Sequence, residues 1–178
     1  YRFYYEGTAP SYTFTVGNRT VSATNGTDEN GNSYLWMLLR QLEGNMKESF
    51  SYDGGATWTN AQVSNIAHPN SAIYVGKTSS GKLLMINHKD FNGRNNLPAF
   101  LSEDGGKTWP YTLLLDARLG VSYPDVIEDN GTFYVVYDYD RFNTGRMFMA
   151  KITEADILNG GDSDDVTSMV LPKTLLVN

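Results

Sequence analysis

Cysteine is absent from the 178 residues, which excludes a disulfide framework, a thiolate metal site and a cysteine nucleophile while leaving the cellular compartment open. Only two histidines occur, His68 and His88. With no further His or Cys at ligand spacing, no transition-metal site is expected, and the carboxylates at 125–129 do not match a calcium-binding EF-hand loop. Cations are scarce as well: 14 Lys and Arg stand against 20 Asp and Glu, a net charge of −6. Phosphate neutralisation needs clustered Lys and Arg, so a nucleic-acid partner is not expected. No apolar run approaches the roughly 18 residues of a membrane span. Long helical periodicity is missing too.

What the chain does have is turn and strand chemistry. It holds 17 glycines, 12 tyrosines and 40% apolar residues, arranged as short apolar runs between turns, the pattern of an all-β protein. Its length fits one domain over 1–178. An internal repeat organises it. Residues 51–58 read SYDGGATW and residues 102–109 read SEDGGKTW, with Asp53 and Asp104 51 positions apart. A period near fifty belongs to stacked or radial repeats.

Each octet reads as a tight turn between strands. The glycines supply backbone conformations closed to other residues, and the aspartate folds its carboxylate back onto nearby N–H groups. Trp58 and Trp109 then offer large apolar faces below the turns. Asp53 and Asp104 are therefore expected to be structural. The period divides the chain into units near 1–66, 67–119 and 120–178. Strands are expected at 2–6, 12–16, 20–23, 33–40, 46–51, 71–75, 83–88, 97–102, 111–115, 122–127, 132–138, 146–152 and 170–177. Pro98 inside a strand signals an edge or a bulge. Residues 153–160 begin with Thr153, carry acids in the first turn and end in Gly160, which reads as a short helix; 162–165 reads as a loop.

The octets resemble the Asp box of sialidase-type β-propellers, a hairpin motif remote from the active site in that family. The resemblance implies an all-β, six-bladed propeller, of which this chain would supply about three blades and cover the C-terminal half. A fragment is expected on that basis, with sheet edges left open to self-association. Export, extracellular or periplasmic, from a bacterium fits the resemblance.

Two arginines, Arg40 and Arg94, recur near strand ends before the two octets, where both could face a common channel. Converging guanidiniums suit a carboxylate, although a lone surface arginine is commonly just solvated. The segments 94–109, 120–125 and 130–138 are similar to the C-terminal half of sialidases. By that resemblance Arg94 is the third arginine of a carboxylate-binding triad, Arg40 the second, and Tyr123, 29 residues after Arg94, the nucleophile. Asp138 matches the acid that supports the first arginine. Tyrosine suits this chemistry because a carboxylate nucleophile would be repelled by the acid group on the anomeric carbon. Asp125, Asp140 and Arg141, together with His88, are further pocket candidates, each with an ordinary structural reading beside it.

The match has departures. Ser122-Tyr123-Pro124-Asp125 replaces the Tyr-Ser commonly seen at the nucleophile, and no glutamate lies at 21–23, where the tyrosine's partner is expected. The resemblance implies a retaining exo-glycosidase for sialic acid or a related acidic sugar, without a cofactor, incomplete in this chain. Two other readings stay open: a non-catalytic glycan-binding propeller, and a glycosidase or lyase acting on another acidic sugar. A sialylated or other acidic glycan is the expected partner in each case.

Overall fold

The computed structural model describes residues 11–16, 19–27, 30–42, 44–89, 93–160 and 173–176. The strand expected at 2–6 and the loop at 162–165 lie outside them. The described chain is all-β, with three antiparallel sheets and one short helix. The first sheet runs β1 (Ser11–Val16), β2 (Arg19–Thr27), β3 (Ser33–Leu39), β4 (Lys47–Ser51) and β5 (Gln62–Val63). The second holds β6 (Tyr74–Lys77), β7 (Leu83–Ile86), β8 (Leu97–Ser102) and β9 (Tyr111–Asp116). β10 (Val121–Asp129), β11 (Thr132–Tyr139), β12 (Arg146–Thr153) and β13 (Lys173–Leu176) form the third. In every sheet spatial order follows chain order and neighbouring strands are antiparallel, the usual outcome when strands that follow one another in the chain pair with one another.

Burial follows from how the sheets meet. Trp36, Met37 and Leu38 are buried in succession along β3, and all four residues of β7 are buried. Such strands are covered on both faces. One apolar cluster joins the first and second sheets through Trp36, Leu38, Ile73, Met85 and Phe100. Another joins the second and third through Leu84, Leu101, Leu115, Phe133, Tyr137 and Ile152. Each fully buried aliphatic or aromatic side chain contributes roughly 1.5–3 kcal/mol by leaving water.

The two octets are closed by matching bonds. Asp53 Oδ1 accepts from Ser51 Oγ and the Thr57 N–H, both at 2.8 Å, and Oδ2 accepts from Thr57 Oγ1 at 2.6 Å. Asp104 makes the same bonds with Ser102 and Thr108, at 2.8, 2.9 and 2.6 Å. The Thr57 hydroxyl and N–H, followed by Ser51, hold the Asp53 carboxyl down to about 2. Gly106 adds a packing role to its turn geometry. Its φ is +88°, and a Cβ there would meet the Trp36 ring of the neighbouring sheet at 2.9 Å.

Other local expectations resolve in physical terms. Pro98 sits on β8, an interior strand, and the register shifts between Leu97 and Pro98; the proline is accommodated by a bulge. The expected helix is α1 (Glu154–Asn159), with Thr153 accepting from the Asp156 N–H in a reciprocal capping box. Gly160 ends it where a Cβ would lie 2.7 Å from the Thr112 carbonyl. The strand expected at 71–75 begins only at Tyr74, four residues after Asn70, which occupies a left-handed conformation at φ +51°.

Candidate functional site

The start of β10 is where the backbone departs most from regular pairing. Its register with β11 shifts between Ser122 and Asp125, leaving Tyr123 and Pro124 in a bulge, and Tyr123 has φ +54°. A tyrosine in that region carries strain on the order of 1–3 kcal/mol, tolerated when surrounding contacts over-determine it. The contacts are visible on both sides. Ser122 is buried and donates to Asp138 Oδ1 at 2.5 Å, while the Gly120 N–H donates to the Arg94 carbonyl at 2.7 Å and the Gly120 carbonyl accepts from the Asp140 N–H at 3.0 Å. A bulge so pinned re-aims one side chain out of the sheet. That side chain is the Tyr123 phenol.

Three guanidiniums surround it. Arg40 donates from Nη1 to the Tyr123 hydroxyl at 3.2 Å, and its Cζ lies 5.9 Å from the ring centroid. Arg94 and Arg141 place their Cζ atoms 5.1 and 3.7 Å from the same centroid. Burial opposes ionisation of this phenol. The Arg40 hydrogen bond, the charges of Arg40 and Arg94, and the contact with Arg141 outweigh it, so the Tyr123 pKa falls below its ordinary value.

The arginines are held by two kinds of partner. Arg141 donates from Nε to Asp138 Oδ2 at 2.6 Å and pairs with it again through Nη2. Arg40 instead donates from Nε to Asn70 Oδ1 at 2.6 Å and from Nη2 to the Asn70 carbonyl at 2.8 Å. Arg94 reaches that same carbonyl at 3.5 Å. Behind Arg40, His68 accepts from the Gln41 N–H at 3.2 Å. Its imidazole is lowered to about 4 by burial, then by the charge of Arg40 and by His88.

The residues singled out in the sequence thus divide. Arg40, Arg94, Tyr123 and Arg141 come together, with Asp138 behind Arg141. His88 is buried, its ring Nε2 at 2.9 Å from the Val121 carbonyl, so it supports the start of β10 without facing an open pocket. Asp125 is exposed and accepts from its neighbour Val126. Asp140 accepts from Asn143 Nδ2 and the Thr144 N–H at 2.7 and 3.1 Å, closing the turn after β11. The structure places neither carboxylate in the arginine cluster. Asn70 is the contributor that sequence reading passed over. Its signal was the Pro69-Asn70 pair, since proline–asparagine marks a turn and Asn tolerates positive φ.

One further arginine, Arg118, is held in a separate group. Arg118 grips Asp116 through Nε at 2.9 and 3.2 Å and through Nη2 at 2.5 Å, and its Cζ sits 4.3 Å from both the Tyr139 and Phe148 ring centroids. The buried Tyr137 hydroxyl donates to Asp116 at 3.0 Å. This group cements β9 to β11 and β12, and its cation is already neutralised.

Fold and site together define an all-β protein of antiparallel sheets that presents a tyrosine ringed by arginines. The profile of the BNR repeat-like domain matches residues 16–136, and the chain belongs to that family. Domains of this family are found in sialidase-like and other glycoside-processing proteins. No curated protein matches the chain.

Proposed function

We propose that this site serves a retaining exo-glycosidase acting on sialic acid or a related acidic sugar, with Arg40 and Arg94 binding the carboxylate and Tyr123 as nucleophile. The observation carrying the proposal is the Tyr123 hydroxyl, which accepts from Arg40 at 3.2 Å with Arg94 and Arg141 against its ring. Guanidiniums that lower the phenol's pKa stabilise the phenolate, and once turned toward substrate their planar forks suit a carboxylate. In the first step Tyr123, its proton given up to solvent and the phenolate stabilised by the arginines, bonds through its oxygen to the anomeric carbon as the bond to the leaving oxygen breaks and that oxygen takes a proton from water. Water then bonds to the anomeric carbon as the bond to the Tyr123 oxygen breaks, and the proton it loses restores the phenol. An extracellular or periplasmic location fits a glycan substrate.

One observation favours a second reading, a non-catalytic glycan-binding propeller. Among the described residues no carboxylate is hydrogen-bonded to the Tyr123 hydroxyl, the position from which a base would take its proton. Turnover of fluorogenic sialosides and uronides by the intact natural protein separates the two. The enzymatic reading expects turnover that drops at least about a hundredfold in Tyr123→Phe and in Arg94→Ala. Turnover unaffected by both substitutions contradicts the site, and glycan binding without turnover supports the second reading.

A further inference from the structure

Of the three arginines around Tyr123, Arg141 is held by an acid, Asp138, whereas Arg40 and Arg94 contact a neutral residue. Among the described residues, the ion pairs with carboxylates involve Lys82, Arg118 and Arg141, and neither Arg40 nor Arg94 takes part in one. Both of these instead share Asn70. Its side-chain oxygen and its carbonyl hold two edges of the Arg40 guanidinium, and the carbonyl also reaches Arg94. The φ of +51° brings carbonyl and side chain to the same guanidinium, a conformation open mainly to Asn, Asp and Gly.

We infer that Asn70 is a positioning residue chosen for being uncharged: it orients Arg40 and Arg94 without neutralising them, leaving two net positive charges for the acid group of the sugar. This rests on the anionic-sugar reading and extends it to the source of acid selectivity. Asp would fit the same backbone and offer the same oxygen, but it would supply within the protein the very carboxylate the site is to bind. By the same logic Arg141, already paired with Asp138, packs on the Tyr123 ring and adds little to anion affinity.

The test uses calorimetric titration of the wild-type chain, Asn70→Asp and Asn70→Gly with N-acetylneuraminate, glucuronate and galacturonate, each against its methyl ester. The acid-to-ester affinity ratio is read within each protein, so a general loss of folded material cancels. For the acid that wild type prefers, the expected ratio falls about thirtyfold in Asn70→Asp and stays within about fivefold of wild type in Asn70→Gly. A merely structural Asn70 predicts the reverse order, because Asp keeps the acceptor and Gly loses it. That order, or an unchanged ratio in Asn70→Asp, overturns the inference while leaving the anionic-sugar reading standing. Wild type showing no preference for any acid over its ester overturns both.

Discussion

Replacing Asp138 tests how the bulge that presents Tyr123 is held. Asp138 is only 7% exposed and its carboxylate does two jobs: Oδ1 accepts from the buried Ser122 hydroxyl at 2.5 Å, and Oδ2 accepts from Arg141 Nε at 2.6 Å. In Asp138→Asn the amide can turn its oxygen to Arg141 and its NH2 to Ser122, so both bonds survive and only the charge goes. A charge-assisted bond is worth about twice a neutral one, and the Arg141 side chain is 37% exposed, which screens the pair; the expected loss is about 1 kcal/mol. Asp138→Ala strips both acceptors and leaves the Ser122 hydroxyl buried and unmatched, for which about 3 kcal/mol is expected. Urea unfolding of both variants, combined with Arg141→Ala in a double-mutant cycle, reads these values. The charge loss has a second consequence. Arg141, no longer neutralised, drives the Tyr123 phenol further below its ordinary range in Asp138→Asn, visible as an acid shift of one tyrosine in an ultraviolet difference titration. If Asp138→Ala is as stable as Asp138→Asn and the tyrosine titration does not move, the assigned roles of Asp138 are wrong.

Two further perturbations probe the frame. Gly106→Ala forces a side chain onto a φ of +88° and into the Trp36 ring at 2.9 Å, so a loss of about 2 kcal/mol is expected by chemical denaturation; Gly131→Ala, with equally open φ but nothing within 4 Å, should lose only the backbone share, about 1 kcal/mol. Acid stability depends on His68, which is 2% exposed and lowered to about 4 from 6.5. The unfolded chain therefore binds the extra proton first. The stability this neutral imidazole preserves is fully present above about pH 6.5 and is lost as pH falls through about 4, amounting to roughly 3 kcal/mol. Equilibrium unfolding of wild type and His68→Gln across that window should show a gentler acid loss in the variant, and parallel curves would exclude His68 as the source.

The turns were legible in the sequence because their chemistry is local: Ser51, Asp53 and Thr57 close a loop within seven residues, and the second octet repeats it. Strand runs such as 97–102 were legible for a similar reason, apolar patterning between turns. The site was legible in part. Arg94 and Tyr123 could be paired through the resemblance to sialidases, but the partner of Asp138 could not, because the family pattern points to an arginine from another segment, whereas the acid bonds Arg141 three residues on. Asn70 and His68 were out of reach for a different reason. Their roles arise from contacts 30 and 27 residues away, with Arg40 and Gln41; the Pro69-Asn70 pair signals a turn but not which side chain that turn will hold. The bulge that gives Tyr123 its φ of +54° is likewise set by Asp138 and Gly120 across the sheet.

If Tyr123 attacks an acidic sugar held by Arg40 and Arg94, a covalent glycosyl-tyrosine must form. The most direct test is to incubate the intact natural protein with fluorinated, slowly hydrolysed sialosyl and uronosyl fluorides and to map any covalent adduct by peptide mass spectrometry. One glycosyl group is expected on the peptide containing Tyr123, absent in Tyr123→Phe and much slower to form in Arg94→Ala. An adduct on a different residue, or hydrolysis of the natural glycoside with inversion at the anomeric carbon, would contradict that attack.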